Sequence, residues 1–467
     1  MKRFFRGSNG RSEISITEGP MFLNILFYTI PTIFSGVLQL LYNLADNIVI
    51  GQFSSNENSL AAVGSTGALT NLIVNLLFGL SVGTGVLVAR AYGARDEKAL
   101  SDAVHTSVTV SAIGGVLFAV LGIIFSRPLL ILMGTRPEVL DSAALYMKIY
   151  FAGMPANAVF NFCASILRSV GDTKRPMLIL SATGIVNVVC NLIFVIVFNM
   201  DVAGVALATI IAQYLSAAVI VAILLKTKAS YKLSLRKLCV KATVFGGLLK
   251  IGLPSGIQGC FFSLSNVIIQ SAVNTFPTVY VNGNTVSSTI EGFVYIAMNS
   301  FYHTALTFVG QNLGAGKYDR IKKSAILIPL QVSLVGIILG FTLLYFGTPL
   351  ALFIKNSEEI AAASLFRMRV ILPTYFLCGI MDVLVGVLRG LGYSTISMLA
   401  ALFGSCILRI AWVKFVFPIY GSLTGLFISY PISWALTDLI LVATLLFLAF
   451  PKTKKRINLS RDITNLS

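Results

Sequence analysis

The sequence predicts an all-α polytopic membrane protein with twelve transmembrane helices in two six-helix parallel repeats. Three observations lead to this fold class. The chain of 467 residues is 56% hydrophobic and only 11% charged, whereas soluble domains carry about 25% charged residues. Apolar runs of about 20 residues, the length that crosses a bilayer as a helix, recur along the whole chain. Strings from the first half of the sequence also return in the second half.

The apolar runs predict the twelve spans, six in each half of the chain. The first span is long for a simple crossing, and Pro31 near its start predicts a kink there. The spans are expected near residues 21–50, 58–89, 102–125, 143–167, 177–199, 202–226, 247–273, 285–312, 325–347, 365–389, 396–418 and 421–449.

Basic residues are distributed unevenly among the loops. They are dense in alternate loops, such as 226–241 and 317–323, and few in the loops between. Cytoplasmic loops of membrane proteins are enriched in Lys and Arg. We therefore expect a multi-pass protein of the cell inner (plasma) membrane with both termini in the cytoplasm. The formal net charge of +17 would suggest nucleic acid for a soluble protein. The loop asymmetry accounts for it better, and no nucleic-acid partner is expected.

Motifs of cofactor sites are missing from the sequence. The six cysteines form no CxxC spacing, the two histidines lie far apart, and no HExxH string occurs. The string "GQNLGAGK" resembles a phosphate-binding loop, but its first glycine is misplaced by one residue and Tyr318 replaces the required Ser or Thr. We expect no cofactor, no metal site other than one for a coupling ion, and no enzyme activity.

An internal duplication relates the two halves. "LRSVGDTKRPML" (167–178) returns as "LRGLGYSTISML" (388–399), 221 residues later, and "VARAYGAR" (88–95) matches "VGQNLGAG" (309–316) at the same offset. Six spans return the chain to its starting side, so both halves insert the same way up, with a substrate route expected at the interface of such repeats. We expect lobes of residues 1–235 and 236–467, an arrangement that favours an alternating-access transporter over a channel.

Four strings, in order over nearly the whole chain, resemble those of a known family. They are "LYNLADNIVIGQF" in span 1, "LRSVGDTKRPM" after span 4, "GLPSGIQ" opening span 7 and "VGQNLGAGKYDRIKK" after span 8. The family is that of the multidrug and toxic compound extrusion (MATE) transporters, bacterial branch. The resemblance implies a V-shaped, two-lobed secondary antiporter that exports lipophilic or cationic drugs in exchange for H⁺ or Na⁺. Its expected partners are small organic cations, the coupling ion and membrane lipids, and we expect a monomer.

Span 1 carries a carboxylate, Asp46, in an otherwise hydrophobic helix. An ionised aspartate in hydrocarbon costs about 3 kcal/mol on insertion scales, so such a residue marks a functional site by default. Gln39, Asn43 and Asn47 recur every four residues on the helix face that includes Asp46. We interpret this face as part of an ion-coupling site, with a buried structural salt bridge as the alternative.

Span 5 adds two amides four residues apart, Asn187 and Asn191. By the resemblance, Asp46 falls on the family's acidic position in span 1 and Asn187 on its asparagine in span 5. Asn191 stands where some branches carry a second aspartate. Asp46 could bind a proton, or Asp46, Asn43 and Asn187 could together hold Na⁺, so the coupling ion is open. Amides that only join helices are the alternative interpretation of the asparagines.

Further residues within the spans are candidates for a substrate cavity. Glu291 could contact a cationic substrate, and aromatic and methionine side chains could line an adaptable apolar cavity. Packing in the core or against lipid is the alternative. Asp382 and Arg409 are expected to form a structural ion pair, because buried charges are usually paired. The candidates for the substrate cavity are Glu291, Asn157, Asn161, Tyr295, Met298 and Phe262.

Two other functions are weighed against drug export. A lipid-linked oligosaccharide flippase of the wider superfamily would be expected to have a more cationic cavity that holds pyrophosphate, and the setting of Asp46 among amides argues against it. A membrane-embedded enzyme finds no support in the motifs. The sequence leaves open the substrate and the choice between H⁺ and Na⁺.

Overall fold

The computed structural model describes residues 14–53 and 59–466, and these ranges form helices joined by short connections, with no β-strand among them. The first half contains α1 (Met21–Phe53), α2 (Ser59–Gly93), α3 (Glu97–Leu132), α4 (Pro137–Ala152), α5 (Met154–Ser169), α6 (Lys174–Leu192) and α7 (Asp201–Lys226). The second half contains α8 (Ala242–Val273), α9 (Thr278–Gly314), α10 (Tyr318–Tyr345), α11 (Gly347–Ile354), α12 (Glu358–Ile371), α13 (Tyr375–Leu391), α14 (Ser394–Ala401), α15 (Leu408–Ala411), α16 (Phe417–Tyr420), α17 (Leu423–Phe427), α18 (Ser429–Thr444) and α19 (Phe450–Leu466). Short 3₁₀ turns (Leu235–Lys237, Leu372–Thr374) and π-helical segments (Ile193–Val197, Leu402–Ile407, Trp412–Val416, Leu445–Ala449) extend or join them.

The lengths and composition of these helices confirm the membrane class. Ten helices in the described ranges are long and apolar enough to cross a membrane, or eleven if the bent pair α4 and α5 is one span. The span predicted at 285–312 lies in α9, which has 37 residues and is therefore about 55 Å long. It is not among the eleven, and polar residues such as Glu291, Asn299 and His303 are spread along its length.

Prolines coincide with breaks in the spans. α4 and α5 meet at 45° beside Pro155, and Pro373 lies in the 3₁₀ turn between α12 and α13. A proline removes one helical N–H and crowds the preceding turn, which explains both breaks. Pro31 lies inside α1, and the kink expected there stays a prediction.

The described chain divides into two compact units. One contains Ile30–Gly256 and the other contains Ile16–Thr29 together with the residues that follow Gly256. These units differ from the division predicted after residue 235, because the beginning of α8 groups with the first unit and the beginning of α1 with the second. The packing of these two helix segments gives the physical reason.

In the first unit, the beginning of α8 packs closely on α2 through glycines. A Cβ on Gly79 would lie 2.1 Å from the backbone nitrogen of Gly256, and a Cβ on Gly252 would lie 2.7 Å from the Cα of Leu80. Small residues let helix backbones approach closely, which drives helix association in membranes. The string GLSVG (79–83) has the GxSxG form of hydrolases, but it lies inside α2 and not at the strand-to-helix turn that such a nucleophile requires.

In the second unit, the beginning of α1 packs on α9 through hydroxyl groups. Thr29 Oγ1 and Thr304 Oγ1 are 2.7 Å apart, and Tyr28 Oη lies 2.9 Å from Thr307 Oγ1. Thr304 follows Gly83 by 221 residues, the offset of the repeat. Equivalent helix pairs of the two repeats are therefore held by close glycine contact in one unit and by hydrogen bonds in the other.

The close contact at Gly79 leads to a prediction about stability. Gly79→Ala is expected to destabilise the protein by about 1–3 kcal/mol, because the new methyl group overlaps backbone and not a movable side chain. Gly67→Ala on the same helix meets no atom within 4 Å, and it should be neutral or stabilising by up to about 1 kcal/mol. Thermal unfolding of the purified variants measures both effects, and equal melting temperatures would contradict the contact.

Candidate functional site

Helices α6 and α7 bring polar side chains to Asp46 of α1 in the first unit. Asn191 Nδ2 donates a hydrogen bond to Asp46 Oδ1, and Thr209 Oγ1 lies 3.4 Å from Asp46 Oδ2. Asn191 Nδ2 is also 3.4 Å from Asn187 Oδ1, and Asn187 Nδ2 is 3.5 Å from Thr209 Oγ1. We call these four residues the Asp46 group. It unites Asp46, Asn187 and Asn191, which the sequence predicts as ion-coupling residues.

Thr209 was not identified from the sequence. Its hydroxyl carries one proton, and the shorter of its two acceptor distances is 2.9 Å, to the carbonyl oxygen of Val205. When that proton goes to Val205, the Thr209 oxygen can accept a hydrogen bond or coordinate a cation. A single threonine in an apolar helix usually satisfies itself in this way, so its sequence context carries no functional signal.

Two tyrosines of α4 also belong to the surroundings of Asp46. Tyr146 and Tyr150 interact electrostatically with its carboxylate, and their rings stack with centroids 6.0 Å apart. They lie on neighbouring turns of one helix face, a spacing that is common in packed helices. Sequence reasoning missed them because nothing in span 4 relates them to span 1.

One oxygen of the Asp46 group has no partner. Asn191 is fully buried, and its Oδ1 atom has no hydrogen-bond partner in the described part of the chain. A buried unsatisfied polar atom costs about 1–3 kcal/mol. The ion pairs of the described residues also include none to Asp46. The group thus presents carboxylate, amide and hydroxyl oxygens without a neighbouring basic side chain, which is suitable chemistry for a proton or a hard cation.

The other amides predicted around this site lie apart from the Asp46 group. Gln39 and Asn43 are exposed on α1, and no hydrogen bond among the described side chains joins them to the group. The side chain of Asn47 lies outside the described part of the structure. Asn161 Nδ2 on α5 donates to the carbonyl oxygen of Asn157 at 2.9 Å and to its Oδ1 at 3.0 Å. These two half-buried amides satisfy each other along one helix.

Glu291 forms a buried ion pair in the second unit. Arg367 of α12 donates from Nε to Glu291 Oε1 at 2.9 Å and from Nη2 to Oε2 at 2.7 Å. Ser287 Oγ donates to the same carboxylate at 2.7 Å, and Arg367 Nη1 donates to Asn284 Oδ1. The geometry favours a structural role for Glu291 over contact with a cationic substrate. Sequence reasoning missed Arg367, because the two partners lie on helices with no regular spacing between them.

The predicted ion pair between Asp382 and Arg409 is wrong for the described structure. Arg409 Nε donates to Ser433 Oγ at 2.8 Å, and its guanidinium lies 4.3 Å from the ring centroid of Tyr430. Asp382 Oδ2 and both carboxylate oxygens of Asp438 are buried without hydrogen-bond partners in the described chain. A cation–π contact, stronger when desolvated, has replaced the expected carboxylate.

The remaining cavity candidates differ in their burial. Met298 is fully buried, and a Cβ on Gly379 would lie 2.5 Å from its Sδ atom, so Met298 packs between helices. Tyr295 is exposed and Phe262 is half-buried, and their role in a cavity stays a prediction. The described ranges contain no group of three or more His, Cys, Asp or Glu side chains that could hold a metal ion.

Comparison with known families finds one match in each half of the chain. A family model described as MatE matches residues 31–193 and 254–413. The two matches begin at Pro31 and Pro254, which are 223 residues apart, close to the 221-residue offset of the internal repeat. The family match and the duplication therefore describe the same two halves.

Comparison with individual proteins finds similarity along almost the whole chain. "Probable multidrug resistance protein YoeA" of Bacillus subtilis is 27% identical over 429 residues, which cover 89% of this chain and 91% of that protein. "Probable multidrug resistance protein NorM" of Thermotoga maritima is 25% identical over 93% of each chain. A solved structure titled "Outward-facing conformation of a multidrug resistance MATE family transporter of the MOP superfamily" aligns with a TM-score of 0.86. It is 21% identical and covers 96% of this chain and 98% of its own, a likeness that shows the fold.

Proposed function

The chain belongs to the MatE family, whose members are multidrug efflux transporters and not enzymes, and on this premise we propose that it is a secondary active antiporter. In this proposal it exports small lipophilic or cationic compounds in exchange for H⁺ or Na⁺. The family membership supports export of drugs, and the proposal adds the ion coupling and its site.

The Asp46 group is the single observation that carries the ion coupling. Its carboxylate lies among neutral donors and acceptors, and Asn191 Oδ1 lacks a partner. A proton bound at Asp46 would remove the cost of a charge in the membrane. Na⁺ would use more of the group, with Asp46, Asn191 Oδ1 and Thr209 Oγ1 as oxygen ligands. Either ion neutralises the same carboxylate, so both fit one coupling scheme.

The energy of this exchange is sufficient to bias a two-state transporter. One elementary charge that moves inward down a potential of 100 mV releases about 2.3 kcal/mol, equivalent to about a 50-fold shift of an equilibrium. Coupling between two sites is reciprocal. An ion that weakens the binding of an organic cation is therefore itself displaced when that cation binds. Ionised Asp46 favours the state loaded with organic cation, and ion-bound Asp46 favours its release.

The proposed setting is the cell inner membrane, with both termini in the cytoplasm and lipids around a monomer. The alternation of basic loops along the sequence supports this orientation. The spans of the described helices support a multi-pass protein. We retain the lobe division after residue 235 as a proposal for the repeat units, beside the compact units of the structure.

Ethidium uptake into inverted membrane vesicles, whose outer face is the cytoplasmic one, tests the proposal. Uptake driven by an imposed ΔpH and, separately, by an imposed Na⁺ gradient is compared with uptake by vesicles without the protein. We expect one gradient to drive ethidium transport and the other to have little effect, which identifies the coupling ion. If neither gradient moves ethidium or a second organic cation, antiport is contradicted, and translocation of a fluorescent lipid-linked pyrophosphate analogue would then favour a flippase.

A further inference from the structure

His105 of α3 is a buried imidazole that lies outside the Asp46 group. It is 2% exposed, and both ring nitrogens have backbone partners. Nδ1 lies 2.6 Å from the carbonyl oxygen of Ser101 on the same helix. Nε2 lies 3.0 Å from the backbone nitrogen of Ser234, in the segment of residues 227–241 that joins α7 to α8. We call this segment the α7–α8 connection.

The two backbone partners determine which nitrogen of His105 carries the proton. A carbonyl oxygen can only accept and a backbone N–H can only donate. His105 therefore donates from Nδ1 to Ser101 and accepts at Nε2 from Ser234, which requires the neutral imidazole. A second proton on Nε2 would place two N–H groups against each other and remove the acceptor of Ser234. The contact exists only while the ring is neutral.

His105 lies at the point where the connection is attached to the first unit. Tyr231 and Leu233 of the connection are both 1% exposed and belong to a core cluster with residues of α3, α5 and α7. Lys241 N–H, just before α8, donates to Thr106 Oγ1 at 3.2 Å. Adjacent residues of α3 thus hold two points of the connection. Of these two hydrogen bonds, the one to His105 is made by a side chain that can gain a proton.

The imidazole borders a polar opening through which protons can reach it. The opening has a volume of about 600 Å³ and lies on the side of the dense basic loops. The titratable and charged groups that line it come from α3 (Glu97, Lys98 and Asp102) and from the connection (Arg236, Lys237, Cys239 and Lys241). The neighbouring core cluster contributes apolar side chains from α5, α6 and α7.

We propose that His105 is a proton-sensitive clasp that holds the α7–α8 connection on α3 when neutral and releases it when protonated. The attachment requires Nε2 as an acceptor, so it is lost when a second proton binds the ring. The segment it controls leads directly into α8, whose beginning packs on α2. In the proposed orientation the clasp senses cytoplasmic pH.

Hydrogen–deuterium exchange of the full-length protein in lipid nanodiscs tests the clasp without measuring transport. Exchange of peptides that contain Ser234 is compared at pH 7.5 and 5.5, after correction for the intrinsic pH dependence of amide exchange. We expect these peptides to exchange about fivefold faster at the lower pH, the effect of losing one ordinary hydrogen bond. Peptides from the middle of α3 should change little.

Variants test whether the imidazole of His105 causes the pH dependence of exchange near Ser234. His105→Phe should exchange rapidly at both pH values, and His303→Gln, which changes the other histidine of the chain, should keep the wild-type pH dependence. Thr106→Val removes the adjacent acceptor and should loosen the connection equally at both pH values. The proposal is overturned if wild-type exchange near Ser234 is independent of pH, or if His105→Phe retains the pH dependence. Neither result bears on ion-coupled efflux.

Discussion

Asp46→Asn is expected to abolish the dependence of ethidium efflux on an imposed ion gradient while the protein remains folded and in the membrane. The amide matches the carboxylate in shape, but it is neutral. It can therefore neither take up a proton nor supply the negative charge that balances a bound Na⁺. At 100 mV, one coupled charge shifts the transport equilibrium about 50-fold, and that shift should be lost. Concentrative ethidium uptake into inverted vesicles, which corresponds to efflux from the cell, gives the result directly when it is measured with the gradient that drives the wild type.

The controls for Asp46→Asn come from the same unit. Thr84→Val removes a buried hydroxyl that hydrogen-bonds Ser107 outside the Asp46 group, and it should leave coupling intact. Asp46→Glu keeps a titratable carboxyl on a longer side chain and should retain partial coupling. Full gradient-driven efflux by Asp46→Asn, at wild-type expression, would exclude the proposed role of this carboxylate. That result would not bear on membership in the MatE family.

Thr209→Val distinguishes the two coupling ions at this site. A bound Na⁺ would lose one of its oxygen ligands, whereas a proton on Asp46 would lose only a weak hydrogen-bond partner at 3.4 Å. A Na⁺-coupled protein should therefore require a higher Na⁺ concentration for half-maximal efflux, and an H⁺-coupled protein should change little. This variant is informative only beside the gradient assay that identifies the driving ion.

Arg367→Met is expected to destabilise the protein by about 3–5 kcal/mol, because it leaves Glu291 buried without its counter-charge. The carboxylate would retain Ser287 as a donor but lose both guanidinium bonds. Arg367→Met with Glu291→Gln removes both charges and should recover most of the loss, since a buried ion pair is often replaceable by neutral groups of similar size. Thermal unfolding of the single and double variants measures the difference.

A surface ion pair provides the matched control. Arg127 and Asp141 are 2.9 Å apart, with side chains 55% and 79% exposed. Arg127→Met should cost no more than about 1 kcal/mol, because solvent screens exposed pairs. A melting temperature for Arg367→Met as close to wild type as that of Arg127→Met would show that Glu291 is not held by Arg367. Glu291 would then return as a candidate contact for a cationic substrate.

Some residues of the Asp46 group could be predicted from the sequence and others could not. The cost of a membrane carboxylate singled out Asp46, and the spacing of four placed Asn187 and Asn191 on one face of span 5. Thr209 and the two tyrosines of α4 carried no such signal, because an isolated hydroxyl or ring in an apolar helix is usually a packing residue. Gln39 and Asn43 had the right spacing on span 1, yet both are exposed.

The sequence was a poorer guide to the partners of the charged residues in the second unit. Sequence reasoning paired Asp382 with Arg409 because both are buried charges, whereas Arg409 packs on Tyr430 and Glu291 pairs with Arg367. Which buried cation meets which anion depends on the rotation and depth of each helix. Hydropathy and periodicity are insensitive to both quantities.

The sequence by itself determined the membrane class, the positions of eleven spans, the duplication and the membership in a transporter family. These properties depend on composition, on periodicity within a helix and on strings of adjacent residues, all of which can be observed along a chain. Only the tertiary structure decided that the beginnings of α1 and α8 pack with the opposite repeat, that Thr209 joins Asp46, and that His105 holds the α7–α8 connection. Each of these contacts joins residues far apart in sequence, and its free energy depends on packing distances that no local pattern encodes.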